Sequence, residues 1–283
     1  MAEPDRSEGG LRLGGMALRN GLLVHGPTSW AIAVRNAAGE IEVASGGKPT
    51  LARGRLGQVP FLRGPLRLTE ALAVIPLARL RLRSARLPLE DPRVIGAAAA
   101  ATAASAVARK LARGSATRET LVAALGMLPA LAALRDRDLA AYHGAEHKAI
   151  GAYESGGSAA DEPKEHQRCG SNLIGPLLAF SVAGQVIVES VLERPSSIAR
   201  GAASLAATGA AVEVFAFAER KPDAALSRAV HGAGHEIQRL ISTREPTPEQ
   251  LAVGEAAVEE LLRVEAVPAD RSPEGPAAGV APV

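Results

Sequence analysis

Apolar residues form two kinds of pattern along the chain: alternating near the N-terminus and continuous in the middle. Residues 29–36 and 40–45 alternate in size and polarity on either side of a short turn that ends in Gly39. A period of two is typical of strands that bury one face. The pattern therefore predicts a β-hairpin in this region.

A mixed pattern of leucines and arginines follows a stretch rich in glycine and proline at 46–65. Leucines recur over 66–83 at helical spacing among several arginines. Such a segment is typical of a basic amphipathic helix, which either lies on a membrane surface or packs its apolar face on the rest of the protein. The sequence leaves both alternatives open.

Four continuous apolar stretches occupy 94–108, 120–134, 173–192 and 198–218. The first two are shorter than the ~20 residues that a bilayer span needs. The last two are long enough, but they carry polar residues that are costly against lipid and tolerable inside a bundle, namely Gln185, Glu189, Arg200 and Glu213. Spanning helices and a soluble Ala-rich bundle both remain open.

The C-terminal part begins with a helix-start signal. Thr247 and Gln250 have the spacing of a capping box, and Pro248 stands at the first helical position. We therefore divide the chain into a disordered N-terminus, a hairpin with a basic amphipathic helix, a helical core, an acidic amphipathic helix and a disordered tail. The corresponding ranges are 1–10, 11–90, 91–245, 246–266 and 267–283.

Composition narrows the classes of function. Aromatic residues make up 2% of the chain and the formal net charge is +2, which argues against base-stacking surfaces and a basic nucleic-acid-binding arm. A single cysteine excludes an intramolecular disulfide. Residues 1–13 are charged and lack an apolar run, so we expect any membrane insertion to use internal segments.

The densest chemistry lies at 142–171, between the second and third apolar stretches. On a helix, His143, Glu146 and His147 would share one face. Two imidazoles one turn apart can bind one metal ion, and the carboxylate between them can act as a general base on a water molecule. A third ligand is predicted from Glu154, His166 and Cys169.

Several alternatives remain at this stage. A solvated helix face would explain the same pattern, and a site that used every candidate ligand would be structural rather than catalytic. Cys169 could instead be a nucleophile if Arg168 and His166 lowered its pKa. A second pair, His231 and His235, is interpreted as loop or helix-start because nearby glycines weaken a helix.

Several of these residues carry a family resemblance. The run Tyr142–Lys148, followed by Glu154 and His166 with Arg168–Gly170, resembles the YqhQ-like bacterial proteins, an uncharacterised family described as predicted metal-dependent enzymes. Weaker similarity extends to three flanking segments. These are the Gly-rich segment at 14–35, Pro60 with Arg63 and Gly64, and the segment from Gln238 to Pro246.

The resemblance implies a multipass protein of the cell membrane with the His/Glu/Cys segment on the cytosolic side. Together with the patterns above, it favours a mainly α, membrane-associated bundle with a small N-terminal hairpin. The predicted function is that of a metal-dependent enzyme of hydrolase type, with zinc as the expected metal and Glu146 as the catalytic base. The alternative is a membrane scaffold with a structural zinc site and partner-binding surfaces. We expect contact with the lipid bilayer and no nucleic acid, and protein partners stay open.

Overall fold

A computed structural model describes residues 10–51, 59, 61, 63–112 and 114–266 of the chain. The segments predicted to be disordered fall outside these residues, apart from Gly10 at the end of the first. Pro60 of the second resembling segment lies outside them as well. The division into domains stays a prediction.

The N-terminal part forms a four-stranded antiparallel sheet in the order β1-β2-β3-β4. Its strands are β1 (Gly14–Leu18), β2 (Gly21–His25), β3 (Ser29–Arg35) and β4 (Ile41–Gly47). The predicted hairpin is confirmed as β3 and β4, with Gly39 at a positive φ of 89° in the turn. β1 and β2 were not predicted, and the two residues of their turn, Arg19 and Asn20, include no glycine that would mark a hairpin.

Helices make up most of the remaining described chain, which confirms the mainly α fold class. They are α1 (Arg63–Arg81), α2 (Pro92–Leu111), α3 (Ser115–Gly126), α4 (Leu128–Ala133), α5 (Arg137–Ser155), α6 (Ile174–Val191), α7 (Ser197–Arg220), α8 (Ala225–Ile237) and α9 (Pro248–Glu265). A 3-10 turn, Gly170–Leu173, precedes α6, and a π-helical turn, Gln238–Ser242, follows α8.

Both faces of the sheet are covered. Helices α5 and α9 pack on one face, where Ala145 and Leu261 belong to the same buried cluster as Val24. Helix α1 covers the other face with Val74 and Ala78. The predicted basic amphipathic helix therefore packs one apolar side on the protein, while other leucines of α1 remain exposed. The predicted capping box of α9 is present.

Three helices are long and apolar enough to cross a membrane: Pro92–Leu111, Gly170–Val191 and Ser197–Arg220. A fourth span is counted if the pair Ser115–Ala133 and Arg137–Ser155, which bends by 89°, forms one broken span. The expectation that the first apolar stretch is too short was wrong, because Asp91 caps a helix that starts at Pro92. The second stretch is divided between α3 and α4.

The polar residues of the apolar helices face other helices. Glu189 of α6 pairs with Arg118 of α3 and with Arg200 of α7, and Gln185 donates to the carbonyl of Arg200. Arg109 of α2 pairs with Glu119 of α3 at 2.7 Å. The ends of α2 and α3 at their connecting turn therefore share one charged cluster with the ends of α6 and α7 at theirs. At the other end of α2, Arg19 in the turn between β1 and β2 pairs with Asp91, and it also pairs with Asp136 at the start of α5.

His25 of β2 gives the fold a testable pH dependence. Burial, and next the charge of Lys48, lower the pKa of His25 from 6.5 to about 4. In the unfolded chain His25 is protonated below about pH 6.5, whereas in the folded protein it is protonated only below about pH 4. The free energy of unfolding therefore falls as the pH decreases from about 6.5 to about 4. We expect a loss of up to about 3 kcal/mol.

Thermal unfolding in detergent between pH 7 and pH 4 measures this effect. The difference in Tm between the wild type and His25→Gln should shrink as the pH falls, because only the wild type loses the contribution of His25. Parallel pH profiles for the two proteins would contradict the assignment.

Candidate metal centre

Helix α5 carries the central residues of the site and is well delimited. Asp136 caps its N-terminus by accepting from the backbone N–H groups of Asp138 and Leu139. Its C-terminal cap is Gly156 at a positive φ of 70°. Because the capped helix packs on the sheet, the face that bears His143, Glu146 and His147 has a fixed orientation.

Both histidines donate one ring N–H to a backbone carbonyl. Nδ1 of His143 lies 2.7 Å from the carbonyl oxygen of Ser242, and Nδ1 of His147 lies 2.6 Å from that of Lys164. A carbonyl oxygen can only accept, so each Nδ1 carries a proton, and Nε2 is the ring nitrogen that each histidine can offer to a metal ion. Metal-binding histidines are held in this way.

Cys169 completes a group of three donors. Its Sγ atom lies 3.5 Å from Nε2 of His143, and the ligand atoms of His143, His147 and Cys169 all lie within 4.8 Å of one another. The two imidazole rings are 4.5 Å apart between centroids. Two imidazole nitrogens and one cysteine sulfur are a donor set that a metal ion of zinc type prefers, so these residues could hold one.

Glu146 lies beside this group without belonging to it. Its side chain lines the same pocket as both histidines, and it approaches β1 so closely that a Cβ atom added at Gly15 would lie 2.6 Å from its Oε1. Burial raises the pKa of Glu146 to about 7. Gly15 is therefore the position of β1 at which a side chain would displace the carboxyl group.

The Cys169 thiol is buried, and its environment does not favour a free thiolate. Burial raises the pKa of Cys169, and hydrogen bonding with Ser171 only partly opposes this effect. Arg168, which was expected to lower that pKa, instead forms an ion pair with Glu154. These surroundings therefore do not favour the alternative in which Cys169 acts as an activated nucleophile.

Glu154 and His166 lie next to the donor group but are engaged with each other. Nε2 of His166 is 3.2 Å from Glu154, and its Nδ1 accepts from the backbone N–H of Arg168 at 3.3 Å. Both ring nitrogens of His166 are thus in use, although its ring lies 5.7 Å from that of His147. A role of Glu154 or His166 as a ligand stays a prediction.

The chain matches the DUF1385 family, described as proteins of unknown function, over residues 94–264. The match covers more than half of the 283 residues. The chain belongs to this family. The donor group and Glu146 all lie inside the part that matches DUF1385, whereas the sheet precedes it. No curated protein matches the chain, and no solved structure does.

Gln238 was missed as a supporting residue of the site. Its side chain accepts from the backbone N–H of His166 at 2.7 Å and donates to the hydroxyl of Ser171 at 2.9 Å, and so holds both flanks of Cys169. The resemblance included Gln238 within its C-terminal segment, but a lone glutamine gives no sign of which loop it will contact.

The second histidine pair lies in a regular helix, contrary to the expectation of a loop or helix start. His231 and His235 are both in α8, and His231 pairs with Glu219 at 3.6 Å. Gly234 is required there because a Cβ atom would lie 1.7 Å from Oδ1 of Asn172. Close packing, and not a break in the helix, explains this glycine.

Proposed function

We propose that the chain is a multipass membrane protein that binds one zinc ion through His143, His147 and Cys169 and hydrolyses a substrate at that site. The observation that carries the proposal is the pair of Nδ1 hydrogen bonds, which leaves Nε2 of each ring as the nitrogen available to a metal ion, with Cys169 Sγ 3.5 Å from that of His143. When bound, zinc would supply Lewis-acid chemistry that polarises water and a substrate carbonyl or phosphoryl oxygen.

Residues of the chain would orient the metal ligands and accept the proton of the attacking water. The Ser242 and Lys164 carbonyls orient the two imidazoles, and Glu146 accepts a proton from water at one of its carboxylate oxygens. His143, His147 and Cys169 would hold zinc with three donors, fewer than the four of a closed structural site, which favours a catalytic role. The pocket of about 460 Å³ beside these donors and Glu146 would give a substrate access to them.

Glu146→Gln tests the catalytic role because it keeps the size of the side chain and removes its basicity. We expect this variant to hold wild-type zinc and to lose about 100-fold or more in turnover against a library of ester, peptide and phosphoester substrates. Glu162→Gln is the matched control, since Glu162 contacts the same helix but lies outside the pocket. Zinc loss in Glu146→Gln would instead favour a closed structural site, as in the scaffold alternative.

The membrane part of the proposal rests on surface composition. The most apolar 18-residue segment of the helix Gly170–Val191 has a mean hydropathy of 1.6, yet only 6% of this segment is buried inside the protein. In water such a surface would drive aggregation, whereas in a bilayer it is solvated by lipid. We propose the cell membrane as the location, with the sheet and the metal site in the cytosol, as the likeness to YqhQ-like proteins implies.

We expect the protein to stay with the membrane fraction after an alkaline wash and to need detergent for release. Orientation is tested in a Cys169→Ser background with single cysteines at two exposed serines, Ser158 on the sheet side and Ser197 at the distal turn. A membrane-impermeant maleimide should label Ser197→Cys in intact cells and Ser158→Cys only after lysis. A monodisperse soluble protein without detergent would contradict the membrane assignment.

A further inference from the structure

The pocket beside the metal donors follows the free edge of the sheet. Its wall includes Gly14 to Ala17 of β1, whose positions alternate between the two faces of the sheet. On one side of this strand the pocket is bounded by His25, and on the other by Glu146. A cavity that reaches both faces of an edge strand must pass around its outer edge.

The hydrogen-bond register shows which backbone groups face this cavity. Gly26 N–H donates to Ser29 and Arg35 N–H donates to Asn20, so the even-numbered residues of β2 pair with β3. In an antiparallel sheet the pairing alternates, so the odd-numbered residues of β2 pair with β1. The register then assigns Gly15 and Ala17 as the β1 residues whose N–H and C=O groups point outward.

These outward groups are available within the described chain. There, no hydrogen bond engages the outward N–H or C=O of Gly15 or Ala17, and β1 pairs only with β2. An edge of this kind is a template for another strand. Gly14 and Gly15 have no side chains, so a second backbone can approach closely.

We infer that the substrate of the proposed hydrolase is an extended peptide segment that adds to β1 as a fifth strand and passes Glu146 and the metal donors. This inference rests on the proposed function. An acyl chain could pack against the apolar wall of the pocket that Ala130, Ala133 and Leu134 form. It could not, however, satisfy the outward N–H and C=O groups of Gly15 and Ala17, whereas a peptide backbone does.

The reaction is amide hydrolysis. The oxygen of one water molecule forms a bond with the carbonyl carbon of the peptide, and the C–N bond breaks. Glu146 takes one proton of that water and transfers it to the nitrogen of the leaving amine. The other proton stays with the new carboxyl group, so atoms and charge balance.

The test uses the full-length protein in detergent with zinc, and fluorescein-labelled casein as an unfolded peptide substrate. Ala17→Pro removes the outward N–H and leaves the bonds to β2 in place, so we expect wild-type zinc content and casein cleavage reduced about tenfold. Val43→Pro makes the same change on the far edge at β4, where the register also points N–H outward, and should cleave casein at the wild-type rate.

Hydrogen exchange provides a second measurement that needs neither turnover nor the proline variants. Glu146→Gln is mixed with unlabelled casein, and exchange is followed by mass spectrometry in the segment that contains Gly15 and Ala17. We expect slower exchange there and no change at Val43. Unchanged exchange at Gly15 and Ala17 would overturn the inference.

The outcomes separate this inference from the proposed function. A protein that binds no zinc and cleaves neither casein, a p-nitrophenyl ester nor a phosphoester contradicts the proposed function itself, and the exchange measurement still decides whether β1 binds peptide. A second outcome is a zinc-binding protein that hydrolyses phosphatidylcholine, leaves casein intact and shows unchanged hydrogen exchange at β1. This outcome would agree with the proposed function, but it would contradict a peptide substrate and favour a lipid substrate.

Discussion

Replacing either histidine of the donor group with alanine is expected to remove the metal from the protein. His143→Ala and His147→Ala each delete one of three donors, so the affinity for zinc should fall by about 100-fold or more. Elemental analysis after purification and dialysis measures retention. The wild type should keep about one zinc ion per chain, and each variant should keep little.

His235→Ala is the matched control for these two variants. His235 is exposed on α8 and does not belong to the donor group, so this variant should retain wild-type zinc. Cys169→Ser should lie between these results, because a hydroxyl is a weaker zinc ligand than a thiolate. Wild-type zinc content in both His143→Ala and His147→Ala would contradict the predicted metal site, and the two histidines would then only form hydrogen bonds on a helix face.

A single methyl group on α5 should disturb both the fold and the site. Gly144 stands between His143 and His147 in the helix, and a Cβ atom there would lie 2.1 Å from the backbone carbonyl oxygen of Arg244. That backbone also bonds to α5, since Arg244 N–H donates to the carbonyl of Ala140. Gly144→Ala must therefore push away the segment that includes Ser242, whose carbonyl orients His143.

We expect Gly144→Ala to destabilise the protein by about 2 kcal/mol and to lower its Tm by about 5 °C, despite the better helix propensity of alanine. Zinc affinity should fall as well, because His143 loses the carbonyl that holds its ring. Gly232→Ala is the control: it is also in a helix, and nothing lies within 4 Å of the added Cβ atom. That variant should be neutral or slightly stabilised. Equal Tm values for the two variants would contradict the packing explanation.

Local patterns predicted the features that depend on neighbours in sequence. The hairpin of β3 and β4, the cap of α9 and the shared face of His143 and His147 each need only a few consecutive residues. The start of α2 was missed because the apolar pattern begins at residue 94, whereas the cap at Asp91 and the proline after it extend the helix outward.

Features that depend on distant contacts could not be predicted in the same way. Glu154 and His166 have the right chemistry for ligands, but the ion pair of Glu154 with Arg168 and the backbone N–H at His166 depend on the conformation of one loop. Gln238 and Ser242 act on the site across more than 70 residues of sequence. The requirement for glycine at position 144 comes from the backbone of Arg244, which lies against it and is distant in sequence.

The carbonyl of Ser242 has a consequence for the order of events during synthesis. His143 and His147 leave the ribosome roughly 100 residues before the group that orients His143 does, and α9, which shares a buried cluster with α5, follows later in the sequence. The candidate ligands thus lack this orienting carbonyl while roughly 100 residues are synthesised, and metal binding at the proposed site would be selective only after the C-terminal segment folds back. A chain that terminates before residue 242 would contain all three candidate donors, His143, His147 and Cys169, and still lack the carbonyl that orients His143.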